Sequence, residues 1–255
     1  MENTVYFVGA GPGDPELITI KGQRLLRDAD VVIYTGSLVP KALVENLPGE
    51  VIDSAGLNLD EVFAIVLDRW KAGKKVVRLH TGDPSIYGAI NEQMMLMRQE
   101  NIPFAVVPGV SSALAAAAAL KTQLTLPEVS QTVIFTRMAG RTPMPEGEDI
   151  KSLAAHQATM MIFLSVGMME KLVADLIAGG YPETTAVAVV EKASWPDERT
   201  VRGTLASIVQ LVKDAKITRT AMIAVGDVLV EGDPPALSKL YDKSFTHGYR
   251  KGIKK

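Results

Sequence analysis

Cysteine is absent from this 255-residue chain, which excludes disulfides, thiolate nucleophiles and cysteine-ligated zinc or iron–sulfur centres. Histidine is nearly as scarce. His80, His156 and His247 are far apart, and without metal-ligand spacing among them no protein-held metal centre is expected. Long apolar runs are missing too. The longest, residues 113–120, is made mostly of alanine and falls well short of the roughly 20 residues of a membrane helix. No basic stretch precedes the first short apolar run, so no secretory signal is read, and a cytoplasmic location without membrane attachment is expected. Positive charge is lacking from most of the chain. Residues 239–255 carry six Lys/Arg against one Asp, leaving residues 1–238 with 21 basic and 28 acidic side chains, a net of −7. Such a body repels nucleic acid, which is therefore not an expected partner.

What is present describes a globular protein. Hydrophobic residues make up 47 % and charged residues 22 % of the chain, and the length suits one large domain or two of about 125 residues each. Short β-branched runs alternate with helical patterns in the first half, at residues 5–8, 31–34, 51–53, 76–79 and 104–107, as in a mostly parallel sheet with crossover helices. Asn58 with Glu61 three residues on predicts a capping box for a helix bearing Val62, Phe63, Val66 and Trp70 on one face. Met94, Met95 and Met97 lie on a further helix and suit core filling.

Residues 121–131 interrupt the rhythm and mark the expected boundary. Beyond them, strands are expected at 132–135, 160–164, 186–190, 200–202 and 220–225, with helices at 168–178 and 205–215. Gly179 and Gly180 followed by Pro182 predict a left-handed helix stop, and the strands around Trp195 and Pro196 read as a hairpin. The expectation is two α/β domains, 1–122 with a mostly parallel sheet and 123–232 with a mixed one, flanking a cleft. A basic tail, 233–255, receives no firm structure and is expected to fray.

Chemistry concentrates in loops that follow strands. Val5-Tyr-Phe-Val-Gly-Ala-Gly-Pro-Gly-Asp14 places three glycines directly after the first strand, where they permit a sharp turn and close approach of a ligand. A dinucleotide fingerprint requires G-x-G-x-x-G; here the spacing is G-x-G-x-G, and Pro12 lacks the N–H of a phosphate cradle. A nucleotide-dependent oxidoreductase is thereby disfavoured. A non-catalytic ligand-binding module does not call for several polar loops at one sheet edge. His80-Thr-Gly-Asp-Pro-Ser-Ile-Tyr-Gly88, Pro108-Gly-Val-Ser-Ser112 and Ser165-Val-Gly167 also follow strands, at the edge where open parallel sheets gather ligands. Small residues, hydroxyls and the single acid Asp83 suit a neutral-to-cationic ligand rather than a phosphate. Asp83 has two readings, as cap of a following helix or as partner of a ligand's amino group. His80 reads as a structural hydrogen-bonding residue.

The runs at 8–19, 81–88 and 107–112, taken in order and spacing, resemble the tetrapyrrole methyltransferase family over about residues 4–228. That resemblance implies two α/β domains, S-adenosylmethionine as methyl donor with S-adenosylhomocysteine as product, a small-molecule tetrapyrrole substrate and a homodimer. Tyr34-Thr-Gly-Ser-Leu-Val-Pro40 and Phe135-Thr-Arg-Met-Ala-Gly-Arg-Thr-Pro-Met-Pro-Glu146 are similar to the branch that methylates carbon 11 of precorrin-4 or cobalt-precorrin-4 in cobalamin synthesis; methylation at another ring carbon is the alternative. The uroporphyrinogen-methylating branch carries an aspartate and a lysine where this chain has Thr35 and about Ser54. No catalytic base is assigned.

By the same resemblance, Pro12, Gly82, Asp83, Ile86, Ser111 and Ser112 contact the cofactor, with Ser165, Ala193, Thr220 and Ala221 supplied by the second half. The implied substrate is rich in carboxylates, which arginine pairs with bidentately. Arg137 and Arg141 are the leading substrate contacts, with Thr35 and Ser37 beside the second strand; Arg199 and Arg202 rank lower, as hairpin arginines.

Overall fold

The computed structural model describes residues 3–232 and 238–253, the side chain of Ser37 excepted. It forms two compact units. The first holds the described residues up to Ala115 together with Lys192–Asp197; the second holds Ala116–Glu191 and the described residues from Glu198 onward.

The first unit contains β1 (Val5–Gly9), α1 (Ile20–Asp28), β2 (Val31–Tyr34), β3 (Glu50–Asp53), α2 (Leu59–Lys71), β4 (Val76–His80), α3 (Asn91–Gln99) and β5 (Phe104–Val107), and α4 (Ser112–Ala119) runs on from it. Its sheet has the order β3-β2-β4-β1-β5 and is parallel throughout. Continuous Val/Ile runs suit strands covered on both faces. Leu26 of α1 packs with Val8, Val32 and Leu79 on one face, while Val66 of α2 and Met97 of α3 pack with Phe7, Ile33 and Val76 on the other. The capping box is present, Asn58 and Glu61 each accepting the other's main-chain N–H. Met97 is buried and Met94 packs on the same core, whereas Met95 is about half exposed.

The second unit contains β6 (Val133–Arg137), α5 (Ile150–Ala154), β7 (Thr159–Phe163), α6 (Met169–Ala178), β8 (Ala186–Glu191), β9 (Arg199–Thr204), α7 (Ile208–Asp214) and β10 (Ala221–Val225). The strand order is β6-β7-β10-β8-β9. Only β6 and β7 run parallel, so this sheet is mixed. Gly180 is the left-handed residue that stops α6, at φ +120°, and the Tyr181 N–H returns to the Leu176 carbonyl as a Schellman closure requires. Met160, Ile162, Leu172, Leu176, Ile208 and Ile223 are fully buried in its core.

The units divide at 115/116, not at 122/123. Residues after Ala115 are held by the second unit, because Arg202 Nη2 donates to the Leu120 carbonyl at 2.8 Å and Thr122 Oγ1 to the Val228 carbonyl at 2.8 Å. Where it is described, the tail carries local hydrogen-bonded structure. Lys239–Tyr241 makes a single helical turn, His247 and Arg250 exchange main-chain bonds, and Arg250 donates to the Leu240 and Asp242 carbonyls. No helix among the described residues is long and apolar enough to cross a membrane.

Candidate functional site

The sequence-singled residues fall into two groups, one on each unit. In the first unit, β1, β4 and β5 end in glycine-bearing loops whose backbones touch. Ala10 N–H donates to the His80 carbonyl at 2.7 Å, and Gly11 and Gly82 exchange main-chain bonds at 3.3 and 2.8 Å. A Cβ on Gly9 would lie 2.6 Å from both Gly109 Cα and the Gly82 carbonyl oxygen; one on Gly109 would lie 2.1 Å from that oxygen. These approaches exclude any side chain. Gly82 differs: its φ is +60°, and a Cβ there would meet nothing nearer than Ser112 N at 3.8 Å, with Ser111 Cα and the Val110 carbonyl at 3.9 Å. Main chain of residues 110–112 therefore stands around Gly82 at ordinary van der Waals distance, a cradle that a Cβ would just fill.

Asp83 organises this edge. Its Oδ1 accepts the Ser85 N–H at 2.8 Å and its Oδ2 the Gly109 N–H at 3.0 Å, tying the loop after β4 to the loop after β5. The helix that follows begins only at Asn91, so Asp83 caps a turn and the helix-cap reading is corrected. Ser111 is buried, and its Oγ accepts the Ala113 N–H at 3.3 Å at the start of α4. Ile86 and Ser112 are partly buried nearby. The loop is tightly wound: Tyr87 and Ala89 have φ of +53° and +47°, and a Cβ on Gly88 would sit 2.1 Å from the Pro84 carbonyl. Two buried polar atoms here lack a partner among the described residues, Thr81 Oγ1 and His80 Nε2.

His80 is 3 % exposed, and burial, with the Arg78 charge second, pushes its pKa down to about 3 against an opposing main-chain bond to Gly88. Arg78 is itself buried, its guanidinium held by Gln93 Oε1 at 2.9 Å, the Ile33 carbonyl at 3.0 Å and Ser54 Oγ at 3.4 Å; burial lowers its pKa to about 10. His80 is thus neutral when folded and protonates below about pH 6.5 when unfolded, so the unfolded state binds more protons between the two values and stability falls on acidification through that window. Between pH 7 and pH 5 the wild type should lose about 2 kcal/mol more than His80→Gln, measured by urea unfolding at each pH. Equal losses would contradict the assignment.

At the carboxyl end of β2, Thr35 is partly buried and makes no capping bond to the helical turn Gly36–Leu38; the side chain of Ser37 lies outside the described residues. Ala193 is buried in the segment Lys192–Asp197. Sequence reading missed this segment's partners: Ser194 Oγ accepts the Asp14 N–H at 3.0 Å, and Trp195 Nε1 donates to the Pro12 carbonyl at 2.9 Å.

In the second unit, register brings Arg137 opposite Phe163 and Ile223 opposite Ile162 on the antiparallel β10, so Ser165, Thr220 and Ala221 share one sheet edge with Arg137. Ser165 is fully buried; its Oγ donates to the Phe163 carbonyl at 2.6 Å and accepts the Met138 N–H at 2.9 Å. Its side chain is spent on joining β6 to β7, and its carbonyl accepts the Met168 N–H at 2.9 Å. Arg137 is spent likewise, donating to the Met138, Thr142 and Pro143 carbonyls at 3.0, 3.3 and 3.0 Å, so it holds the loop on which Arg141 stands exposed. Arg199 pairs with Glu191, and Arg202 serves Leu120. A further residue emerges at this edge. Leu164 is 71 % exposed with φ +54°, and Thr220 is left-handed at +52°. Left-handed non-glycine residues persist where their surroundings impose them and gather at functional sites.

Residues 4–209 match the family model of the tetrapyrrole (corrin/porphyrin) methylases. The chain is 57 % identical to a cobalt-precorrin-4 C(11)-methyltransferase of Methanocaldococcus jannaschii, covering 98 % of this chain and 97 % of that one. It is 49 % identical to a precorrin-4 C(11)-methyltransferase of Pseudomonas aeruginosa, covering 98 % and 99 %. Among solved structures, a cobalt precorrin-4 methyltransferase described as a cobalamin biosynthetic enzyme superposes with a TM-score of 0.88 at 48 % identity, over 90 % of this chain and 97 % of that one. The uroporphyrin-III C-methyltransferase of Thermus thermophilus, solved with S-adenosylhomocysteine, gives 0.75 at 30 %, over 89 % and 98 %.

Proposed function

The chain belongs to the tetrapyrrole (corrin/porphyrin) methylases, and from that premise we propose that it transfers a methyl group from S-adenosylmethionine to carbon 11 of precorrin-4 or cobalt-precorrin-4 in cobalamin biosynthesis. The observation that carries the reading is end-to-end similarity to C(11)-methyltransferases. The geometry of the first unit supports the cofactor: the cradle beside Gly82 is one that a Cβ would fill, and the Thr81 hydroxyl next to it is buried without a partner among the described residues.

When bound, the sulfonium supplies an electrophilic methyl, and the protein's task is chiefly to hold the reacting carbon in line and exclude water. Main chain at Pro12, Gly82, Ser111 and Ser112, the side chain of Ile86 and the main chain of Ala193 line the cofactor in this reading. The Asp83 carboxylate, whose two main-chain bonds leave lone pairs free, takes the cofactor's amino group. On the second unit, Ser165, Thr220 and Ala221 are the residues this reading assigns to the cofactor. Exposed Arg141 takes a substrate carboxylate and Thr35 a further substrate contact, while Arg137 acts by fixing the loop beneath Arg141. Any cobalt travels with the substrate. The protein acts in the cytoplasm as a homodimer, the commonest closed assembly.

The test is incubation with methyl-labelled S-adenosylmethionine and precorrin-4, with and without cobalt. Label should move to the precorrin and not to uroporphyrinogen III; the reverse preference would overturn the reading.

A further inference from the structure

Trp195 approaches the loop after β1 from 183 residues away in sequence, and three observations show how closely it is fitted. Its indole N–H donates to the Pro12 carbonyl at 2.9 Å. A Cβ on Gly13 would lie 2.1 Å from Trp195 Cδ1 and 2.3 Å from Nε1, so the ring occupies the place of a side chain at Gly13. The Asp14 N–H is fixed by Ser194 Oγ at 3.0 Å. The segment that carries Trp195 is itself constrained. Lys192 and Ser194 are left-handed at +51° and +69°, the Trp195 N–H returns to the Lys192 carbonyl at 2.9 Å, and Lys192 pairs with Asp197 across the turn.

Resting on the cofactor reading of this loop, we propose that Trp195 is a positioning residue for it: the indole N–H orients the Pro12 carbonyl, the ring sets the path of Gly13, and cofactor affinity depends on both. Pro12 has no N–H of its own, so its carbonyl is the only main-chain hydrogen-bonding group at that residue and its direction fixes the peptide plane that faces the ligand. A half-buried indole in this position also reports on ligand arrival. The chain has two tryptophans. The other, Trp70, donates to the Asn3 carbonyl at 2.6 Å, ahead of the amino end of β1, and provides a constant background.

The experiment compares wild type, Trp195→Phe, Trp195→Ala, Gly13→Ala and the Trp195→Ala/Gly13→Ala double variant, titrated with S-adenosylhomocysteine by calorimetry and by intrinsic emission. Trp195→Phe should bind about five- to tenfold more weakly, the scale of one net hydrogen bond. Its KM for S-adenosylmethionine should rise by the same factor, with kcat at saturation within about twofold. Gly13→Ala should weaken binding in the wild-type background and add little in a Trp195→Ala background, where the indole no longer occupies the Cβ position. Wild-type emission should change on saturation, and the change should vanish in Trp195→Phe. Unaltered affinity in Trp195→Phe together with unaltered wild-type emission would overturn the proposal while leaving the cofactor reading intact. Absence of calorimetric binding to the wild type would overturn the cofactor reading, and the proposal with it. Should Trp195→Phe fail to fold by circular dichroism, the wild-type emission titration decides the matter alone.

Discussion

Gly109→Ala should abolish measurable S-adenosylhomocysteine binding, a loss of more than about 100-fold, or about 2.7 kcal/mol. The added methyl would lie 2.1 Å from the Gly82 carbonyl oxygen and 2.8 Å from Gly9 Cα. All of these are backbone atoms at the ends of β4 and β1, so no side chain can swing aside. The loops must part, and parting them separates Gly109 N–H from Asp83 Oδ2 and opens the cradle beside Gly82. Overpacking of this kind costs about 1–3 kcal/mol of stability, which the unit should tolerate, so far-ultraviolet dichroism should be retained while binding is lost. Gly56→Ala is the control, since a Cβ there meets nothing within 4 Å. Calorimetric affinity of Gly109→Ala within twofold of wild type would show that the close approach of these glycines has no bearing on the cofactor.

Asp83→Ala should weaken cofactor binding about 10- to 100-fold, since hydrogen bonds to a charged group contribute about 1.5–3 kcal/mol each. Both carboxylate oxygens are engaged by main-chain donors, one local at Ser85 and one across the edge at Gly109. Asp83→Asn should not restore binding, because an amide presents one acceptor and one donor where the backbone offers two N–H groups. An unchanged dissociation constant in Asp83→Ala would reduce the residue to a turn former, with no part in the site.

Much of this architecture could be read directly from the chain, for identifiable reasons. The strands of the first unit are unbroken β-branched runs because both faces of a parallel sheet are covered. Asn58 and Glu61 are legible as a cap because their partners lie three residues apart. The helix α1 leaves little apolar signal: its Ile20 is 89 % exposed, so apolar periodicity misleads there, although Thr19 caps it by accepting the Gly22 N–H. At the candidate site, glycines mark the loops because a Cβ at Gly9 or Gly109 would clash with the main chain opposite. Contacts of Trp195 with Pro12 and Gly13 depend on the fold alone and leave no local pattern. Arg137 illustrates a different limit. An arginine at a strand end suits a substrate carboxylate and a set of loop carbonyls equally well, and only the fold shows its guanidinium meeting the carbonyls of Met138, Thr142 and Pro143. Leu164 carries no signal in sequence; its left-handed backbone and exposure mark it only once the strand end is seen.

The central claim is the identity of the carbon that receives the methyl. Incubating the purified protein with carbon-13-labelled S-adenosylmethionine and precorrin-4, or its cobalt complex, and locating the label in the product by NMR tests it most directly. A new methyl resonance correlated to carbon 11 is the predicted result; a methyl placed on any other ring carbon, or no transfer to either substrate, would contradict it.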